Sequence, residues 1–387
     1  MALQEQRLAQ LRAYITEITP AAAEARRLRG AVLLDVREPD EVAEGSPVGA
    51  VRLGRGFLEF RIEAIVPDPT SEILVLCASG GRSLFVADGL ARMGYRSVAS
   101  VAGGFRGWRE AELPVETPRV LTPAERERYA RHLLIPEVGE AGQLRLLQSR
   151  VALVGAGGLG SPIAFYLAAA GVGTLGLIDD DHIERSNLQR QILHTEARIG
   201  TSKARSAAET LTAFNPALKV ELHELRLDSS NVEAVLQGYD LVIDGSDNLP
   251  TRYLVNDACV RLGIPEVYGA IFRFEGQMSV FWPAGDRPSP CYRCLFPEPP
   301  PPELAPSCAE AGVMGVLPGV VGTMMATEAL KLLVGMGNPL IGRLLTYDAL
   351  AGSFDVLTIA ADPACACCAP GAEPQPFVDY AHFCVAK

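Results

Sequence analysis

Apolar and polar positions fall in blocks along the chain, and the period of the blocks changes from one to the next. AVLLDVRE (31–38) is an apolar run that ends in charge, and EILVLCASGG (72–81) is another that runs into glycines. Both read as buried strands. RSLFVADGLARMGY (82–95) places Leu84, Ala87, Leu90 and Met93 on one side at helical spacing. SVASVAGG (97–104) reads as a further strand and turn. Strand, loop, helix and strand in that order predict a parallel sheet in a small α/β unit over 1–115. LPVETPRVLTP (113–123) is punctuated by proline, which predicts a linker over 116–123.

A second unit is expected over 124–387. It opens with the charged helix ERERYARHLLI, then VALVGAGGLG (151–160), a strand running into glycines, then the helix-like SPIAFYLAAAG. VELHEL (220–225), YDLVIDGSDN (239–248), NDACVRLG (256–263) and IPEVYGAI (264–271) continue the alternation of strand and helix signals, as in a doubly wound α/β fold. GQMSVFWP suggests an antiparallel extension. The proline-rich stretch 297–307 fits neither helix nor central strand and reads as extended and mobile. GVVGTMMATEALKLLVG (319–335) reads as an amphipathic helix.

Composition narrows the classes. The chain has 387 residues, so two or three domains are expected, and its 48% hydrophobic content is ample for real cores. A formal net charge of −11 argues against nucleic acid as a main partner. No apolar run is read as long enough to span a bilayer. The opening MALQEQRLAQLRAY is polar and helix-like, unlike a secretory leader, so a cytoplasmic protein is expected. Of nine cysteines, Cys77 stands alone and seven fall in the last 100 residues. In a cytoplasmic chain this favours metal binding or thiol chemistry over disulfides.

Two glycine loops carry candidate chemistry. Gly155, Gly157, Gly158 and Gly160 lie between a strand and a helix, where backbone N–H groups face a phosphate. Asp179 follows at the spacing of an acid that meets a ribose hydroxyl. These features alone also allow a nicotinamide-dependent oxidoreductase. The polar run after Asp179, with Asn187, Gln189, Arg190 and Gln191, suits a site that neutralises a triphosphate better than one that transfers hydride. Asp247 sits past a strand's carboxyl end, where a carboxylate can hold Mg²⁺, and Asp244 is its rival. The second loop follows Cys77: Ala78-Ser79-Gly80-Gly81-Arg82 aims N–H groups and a helix start at the sulfur, which favours a nucleophilic thiolate. Arg82 adds charge to hold an anionic sulfur species; the alternative is a buried structural cysteine.

Cys291-Tyr-Arg-Cys294 and Cys365-Ala-Cys-Cys368 are two CxxC pairs separated by a long gap. Four thiolates can form a closed structural zinc site, and redox dithiols are the alternative. Cys367 lies between two proposed ligands and competes with them. Cys308 follows the proline-rich stretch at the start of a helix-like segment, a setting that makes thiolates reactive. Cys259 reads as core packing, and Cys384 has no assignment.

The first unit resembles the rhodanese sulfurtransferases over about 15–112, through LLDVRE (33–38), CASGGRS and VAGGFRGW (101–108). Four residues separate Cys77 from Arg82, whereas the related phosphatases use five. The resemblance implies a persulfide on Cys77, taken from thiosulfate or a cellular persulfide donor, while Asp35 and Arg37 read as structural. The second unit resembles the MoeB/ThiF family from about 121 to 385, through RYARHL, the glycine loop, IDDDHIERSNLQRQ, IGTSKA and DGSDN. That resemblance implies a Rossmann-like adenylyltransferase. It would use ATP and Mg²⁺ to activate the C-terminal glycine of a small ubiquitin-like sulfur carrier of the MoaD/ThiS type, ending in Gly-Gly. It assigns the nucleotide to the four loop glycines, Asp179, Asn187, Arg190, Lys203, Asp247, Asn248 and Arg131. Arg190 and Arg131 would act across a homodimer. Cys291, Cys294, Cys365 and Cys368 would hold structural Zn²⁺. Cys308 corresponds to a cysteine that in relatives can bond the carrier, so it reads either as a sulfur relay or as a spectator. In most such fusions the rhodanese domain follows the nucleotide domain; here it precedes it. A catalytically silent docking scaffold is the remaining alternative.

Overall fold

The computed structural model describes residues 3–117, 119–285, 289–300 and 312–380. The chain divides into two compact units, Met1–Thr122 and Pro123–Lys387.

The first unit is built on five parallel strands. In sheet order these are β1 (Thr16–Ile18), β6 (Ser97–Val101), β5 (Glu72–Leu76), β2 (Val32–Asp35) and β4 (Val51–Arg52). Alternate residues of β5 feed opposite faces: Ile73 and Val75 join one apolar cluster, Leu74 and Leu76 the other, which packs around Trp108. Helix Gly81–Arg92 buries Leu84, Ala87 and Leu90 as its spacing predicts. Met93 does not join them and is 39% exposed, because it lies past the last helical residue. The proline-punctuated segment contributes structure of its own. Val115–Glu116 (β7) pairs antiparallel with Ser46–Pro47 (β3), so the first unit runs on to Thr122.

The second unit holds an eight-stranded sheet. Its order is β10 (Lys219–His223), β9 (Thr174–Ile178), β8 (Arg150–Val154), β11 (Leu241–Asp244), β12 (Glu266–Phe272), β13 (Glu275–Phe281), β14 (Arg343–Asp348) and β15 (Ser353–Thr358). The first five are parallel and the last three join antiparallel, so the expected extension is present. The chain runs outward from β8 through β9 to β10, then returns to β11 on the other side of β8. That reversal opens a crevice at the carboxyl ends of β8 and β11, where open α/β sheets bind ligands.

Two helical expectations change. ERERYARHLLI is not one helix but two, Pro123–Arg128 and Ala130–Leu133. Tyr129 between them is buried, with its ring against Gly171, where any Cβ would stand 2.5 Å from ring carbon Cζ. The segment 319–335 forms the helix Leu317–Val334, and one side of it enters the core. Leu317, Val321, Met325, Ala326 and Ala329 all enter the main apolar cluster. Gly322 lets it close on Pro162 and the Leu159 carbonyl of the neighbouring helix Gly160–Ala170. By length and composition alone this helix is apolar enough to cross a bilayer, contrary to the sequence reading, yet half of it is buried inside the protein. Most of the proline-rich stretch, with Cys308, lies outside the described residues, as does Cys384.

Candidate functional site

In the second unit, the site begins with main-chain geometry. Gly155 turns out of β8 at φ +90°, and a Cβ there would stand 2.9 Å from the carbonyl oxygen of Gly245, just past β11. At Gly160 a Cβ would overlap the Gly155 carbonyl. Both positions therefore demand glycine, and the loops after β8 and β11 are pressed against one another. Gly157 and Gly158 are looser; their nearest neighbours are the Gln191 amide at 3.4 Å and the Pro318 ring at 3.3 Å.

Asp179 leaves β9 and accepts the Ala156 N–H at 2.8 Å and the Asp181 N–H at 2.9 Å. Burial pushes its carboxyl up, opposed by the Lys203 charge and by these two donors. Lys203, the first residue of helix Lys203–Phe214, is buried and donates to the Asp181 carboxylate at 2.7 Å. Gln191 is buried beside Gly157, and its amide oxygen has no hydrogen-bond partner among the described residues, leaving capacity for a ligand at the loop. Asn187 accepts the Glu184 N–H and closes a short turn, while Arg190 donates to the Ser186 carbonyl, its stem lying against Gly158.

Past β11 the two rival acids separate. Asp244 is fully buried, accepts the Ser246 N–H, and burial pushes its carboxyl up, so it is poorly placed to give a cation a charged oxygen. Asp247 is exposed and makes no hydrogen bond or ion pair among the described residues. Its free carboxylate at the crevice fits a divalent cation. Asn248 caps helix Leu249–Leu262 through the Thr251 N–H at 3.0 Å. Arg131 is exposed on the short helix Ala130–Leu133 and makes no hydrogen bond or ion pair among the described residues.

In the first unit, Cys77 immediately follows central strand β5 and is buried. The Gly80 N–H donates to its sulfur at 3.2 Å, and Ser83 Oγ lies 3.5 Å away. The VAGG turn forms the floor of this loop. Phe105 N–H donates to the Cys77 carbonyl and Arg106 N–H to that of Ala78. A Cβ on Gly104 would overlap the Cys77 carbonyl, so that position too demands glycine. Arg82 pairs with Glu41 rather than leaning freely over the sulfur. Asp35 and Arg37 are both buried, joined through two guanidinium nitrogens; Arg37 also donates to the Gly45 and Glu41 carbonyls.

The sulfurs of Cys291, Cys294, Cys365 and Cys368 lie within 4.8 Å of one another, with Cys291–Cys365 at 3.7 Å and Cys294–Cys368 at 3.4 Å. Tetrahedral zinc with Zn–S near 2.3 Å needs S–S separations of roughly 3.8 Å, so the four fit that ion. The Cys368 thiol is pushed up by its hydrogen bond with Cys291 and by burial. Cys367 stands outside the set. Its thiol donates to Asp257 at 3.4 Å, although hydrogen bonding with it is the first cause that raises the Cys291 thiol. Cys259 is buried in the core, as expected.

Family models match both units: the ThiF family over residues 129–367 and the rhodanese-like domain over 19–111. The chain belongs to the ThiF family. Among relatives of this ThiF chain, a sulfur carrier protein adenylyltransferase of Thermus thermophilus is 53% identical over 265 residues, covering 68% of the chain and 98% of the relative. The SAMP-activating enzyme E1 of Haloferax volcanii is 52% identical, covering 68% and 97%. The adenylyltransferase and sulfurtransferase MOCS3 of Mus musculus is 47% identical, covering 71% and 61%. A crystal structure of E. coli MccB with MccA-N7isoASN shares the fold at a TM-score of 0.55 and 21% identity, covering 63% of this chain and 75% of that one.

Three side chains of this ThiF protein escape a sequence reading. Asp181 is one of three consecutive aspartates, and only the fold shows that it holds Lys203. His194 bridges the Ala156 carbonyl at 3.0 Å and Ser206 Oγ at 3.1 Å. A carbonyl only accepts, so Nε2 carries the proton there and Nδ1 is left to accept from the hydroxyl. Burial holds the His194 imidazole below its usual range, which keeps this neutral form. Glu41, the partner of Arg82, carries no motif of its own.

Proposed function

We propose that this chain activates and thiolates a small ubiquitin-like sulfur carrier. ATP enters the crevice between β8 and β11, and a carrier ending in Gly-Gly presents its terminal carboxylate. The observation that carries this reading is the convergence of the glycine loop, Asp179, Lys203 and Asp247 on that crevice, in a chain that matches almost the whole length of a named sulfur carrier adenylyltransferase.

The attacking carboxylate is already ionised at neutral pH, so no general base is needed. Catalysis is then positioning and charge neutralisation. Loop N–H groups and Lys203 draw off phosphate charge, joined by Asn187 and by Arg190, whose planar fork pairs with phosphate oxygens two at a time. Asp179 keeps lone pairs free for ribose hydroxyls, and Asn248 borders the same pocket. Asp247 would hold Mg²⁺, which offsets charge as pyrophosphate leaves. Arg131, and Arg190 with it, would reach the nucleotide of a second copy, which makes the working form a homodimer. Four cysteines would hold a structural Zn²⁺, and no step passes through it.

The Cys77 persulfide then attacks the acyl-adenylate and AMP leaves. A second thiol, for which Cys308 is the candidate, then attacks the Cys77 sulfur: the carrier thiocarboxylate leaves, and the disulfide that forms between the two thiols is reduced by a cellular thiol before the next turnover. Use of ATP and of reduced thiols supports a cytoplasmic setting. The test is ATP–pyrophosphate exchange with and without Gly-Gly-terminated carriers. Exchange that depends on a carrier is the expected result; none with any carrier, despite ATP binding, would leave the docking scaffold instead.

A further inference from the structure

Arg82 directly follows the Cys77 loop in the chain, and its fork is already filled. Nη1 donates to Glu41 Oε2 at 2.7 Å, and Nη2 donates to Glu41 Oε1. Glu41 is itself fixed, because its Oε2 also accepts the Glu38 N–H at 3.1 Å at the start of a short helix. Hydrogen bonding to Arg82 holds the Glu41 carboxyl below the usual carboxylate range, so the pair is fully charged and internally neutral at neutral pH.

Among the described residues, the surroundings of the loop carry no net positive charge. A cavity of about 500 Å³ beside the loop is lined by Ala78 and by Arg106 and Arg109, which form no ion pair among the described residues and are offset in number by Glu44 and Glu110 on the same wall. Arg37 also faces it, but its guanidinium is consumed by Asp35. The mouth is therefore not a positive funnel.

The two classes of sulfur donor make different electrostatic demands. With thiosulfate, the Cys77 thiolate attacks the sulfane sulfur and the S–S bond breaks. The persulfide forms and sulfite leaves as a dianion, so the transition state carries three negative charges. With a thiol persulfide, the thiolate takes the outer sulfur and a single thiolate leaves, so only two are carried. No electrons are gained or lost in either transfer. The first route needs a free guanidinium far more than the second.

We propose that Glu41 sets donor selectivity: by occupying the fork of Arg82 it disfavours small dianionic donors, so that Cys77 is loaded from a thiol-borne persulfide. This rests on Cys77 being the sulfur-carrying residue.

The test compares the purified full-length protein with its Glu41→Gln variant, using thiosulfate and cysteine persulfide as donors and following the persulfide on Cys77 by mass spectrometry. The ratio of kcat/KM for thiosulfate over cysteine persulfide should rise about tenfold, the scale of one freed charge-assisted contact near the surface. An unchanged ratio would overturn the role of Glu41 while leaving Cys77 as the sulfur carrier. If neither donor loads the unmodified protein, the reading of Cys77 fails and this proposal with it. Thiosulfate binding to Cys77→Ala, with and without Glu41→Gln, gives a readout independent of turnover. Tighter binding to the double variant by about tenfold is expected, and equal binding refutes the selectivity role.

Discussion

The Lys203 ammonium donates to an Asp181 carboxylate oxygen at 2.7 Å, although the phosphate it is proposed to serve would compete for it. Asp181 thus stores the lysine in place, and its own carboxylate is largely exposed, so the pair is screened and easily exchanged. Lys203→Ala should lower carrier-dependent ATP–pyrophosphate exchange about 100-fold, from losing a charged contact worth about 2–3 kcal/mol. Asp181→Asn should cost less than tenfold. Equal losses from the two would mean that Lys203 acts only by holding the loop, and steady-state exchange kinetics decide between them.

The glycines of the nucleotide loop should part company on substitution. Gly160→Ala drives a methyl into the Gly155 carbonyl and should destabilise the second unit by about 2–4 kcal/mol. Gly157→Ala meets only the Gln191 amide at 3.4 Å, a side chain that can give way, and should cost under about 1 kcal/mol. Chemical denaturation of the two variants checks the difference.

Five thiols crowd the proposed zinc site, and four should matter. Cys368→Ser should abolish stoichiometric zinc and lower thermal stability. Cys367→Ser should retain the metal, because that sulfur is directed to Asp257. Elemental analysis of the purified variants gives the answer, and metal loss from Cys367→Ser would move the ligand set.

Glu266 is 1% exposed on β12, with neither carboxylate oxygen hydrogen-bonded among the described residues, and burial pushes its carboxyl well above the usual range. It is protonated in the fold at pH values where the unfolded chain has released the proton. Stability is therefore intact below about pH 4 and falls as pH rises toward the folded value, by up to about 1.4 kcal/mol per unit. Asp244, raised in the same sense, adds to the slope. Glu266→Gln removes the Glu266 share, so the variant's stability advantage should widen between pH 5 and pH 8 in urea titrations. A gap that narrows would contradict the protonated assignment.

Much of this was legible in the residues. Strand–loop–helix order marked the parallel strands of both sheets, and the two glycine loops marked the ends of β5 and β8, where Cys77 and the nucleotide crevice lie. What stayed hidden depends on partners distant in sequence. Glu41 meets Arg82 from 41 residues away, and His194 reaches Ala156 across 38, so neither has a local pattern. The break at Tyr129 is set by Gly171 on another element, and helical periodicity does not register it. The helix Leu317–Val334 was legible as a helix, but how deeply it enters the core was not, because that depends on Pro162 and Leu159 of another element closing on Gly322.

The floor beneath Cys77 is main chain: the N–H groups of Phe105 and Arg106, just past the VAGG turn, and a glycine with no room for a methyl. Sequence drift has little purchase on such a surface, since almost no side chain shapes it. Attempts to redirect the sulfur chemistry by design should therefore leave that turn intact and work on the rim, where Ala78 and Ser79 are reachable and can be enlarged or charged without disturbing the cradle.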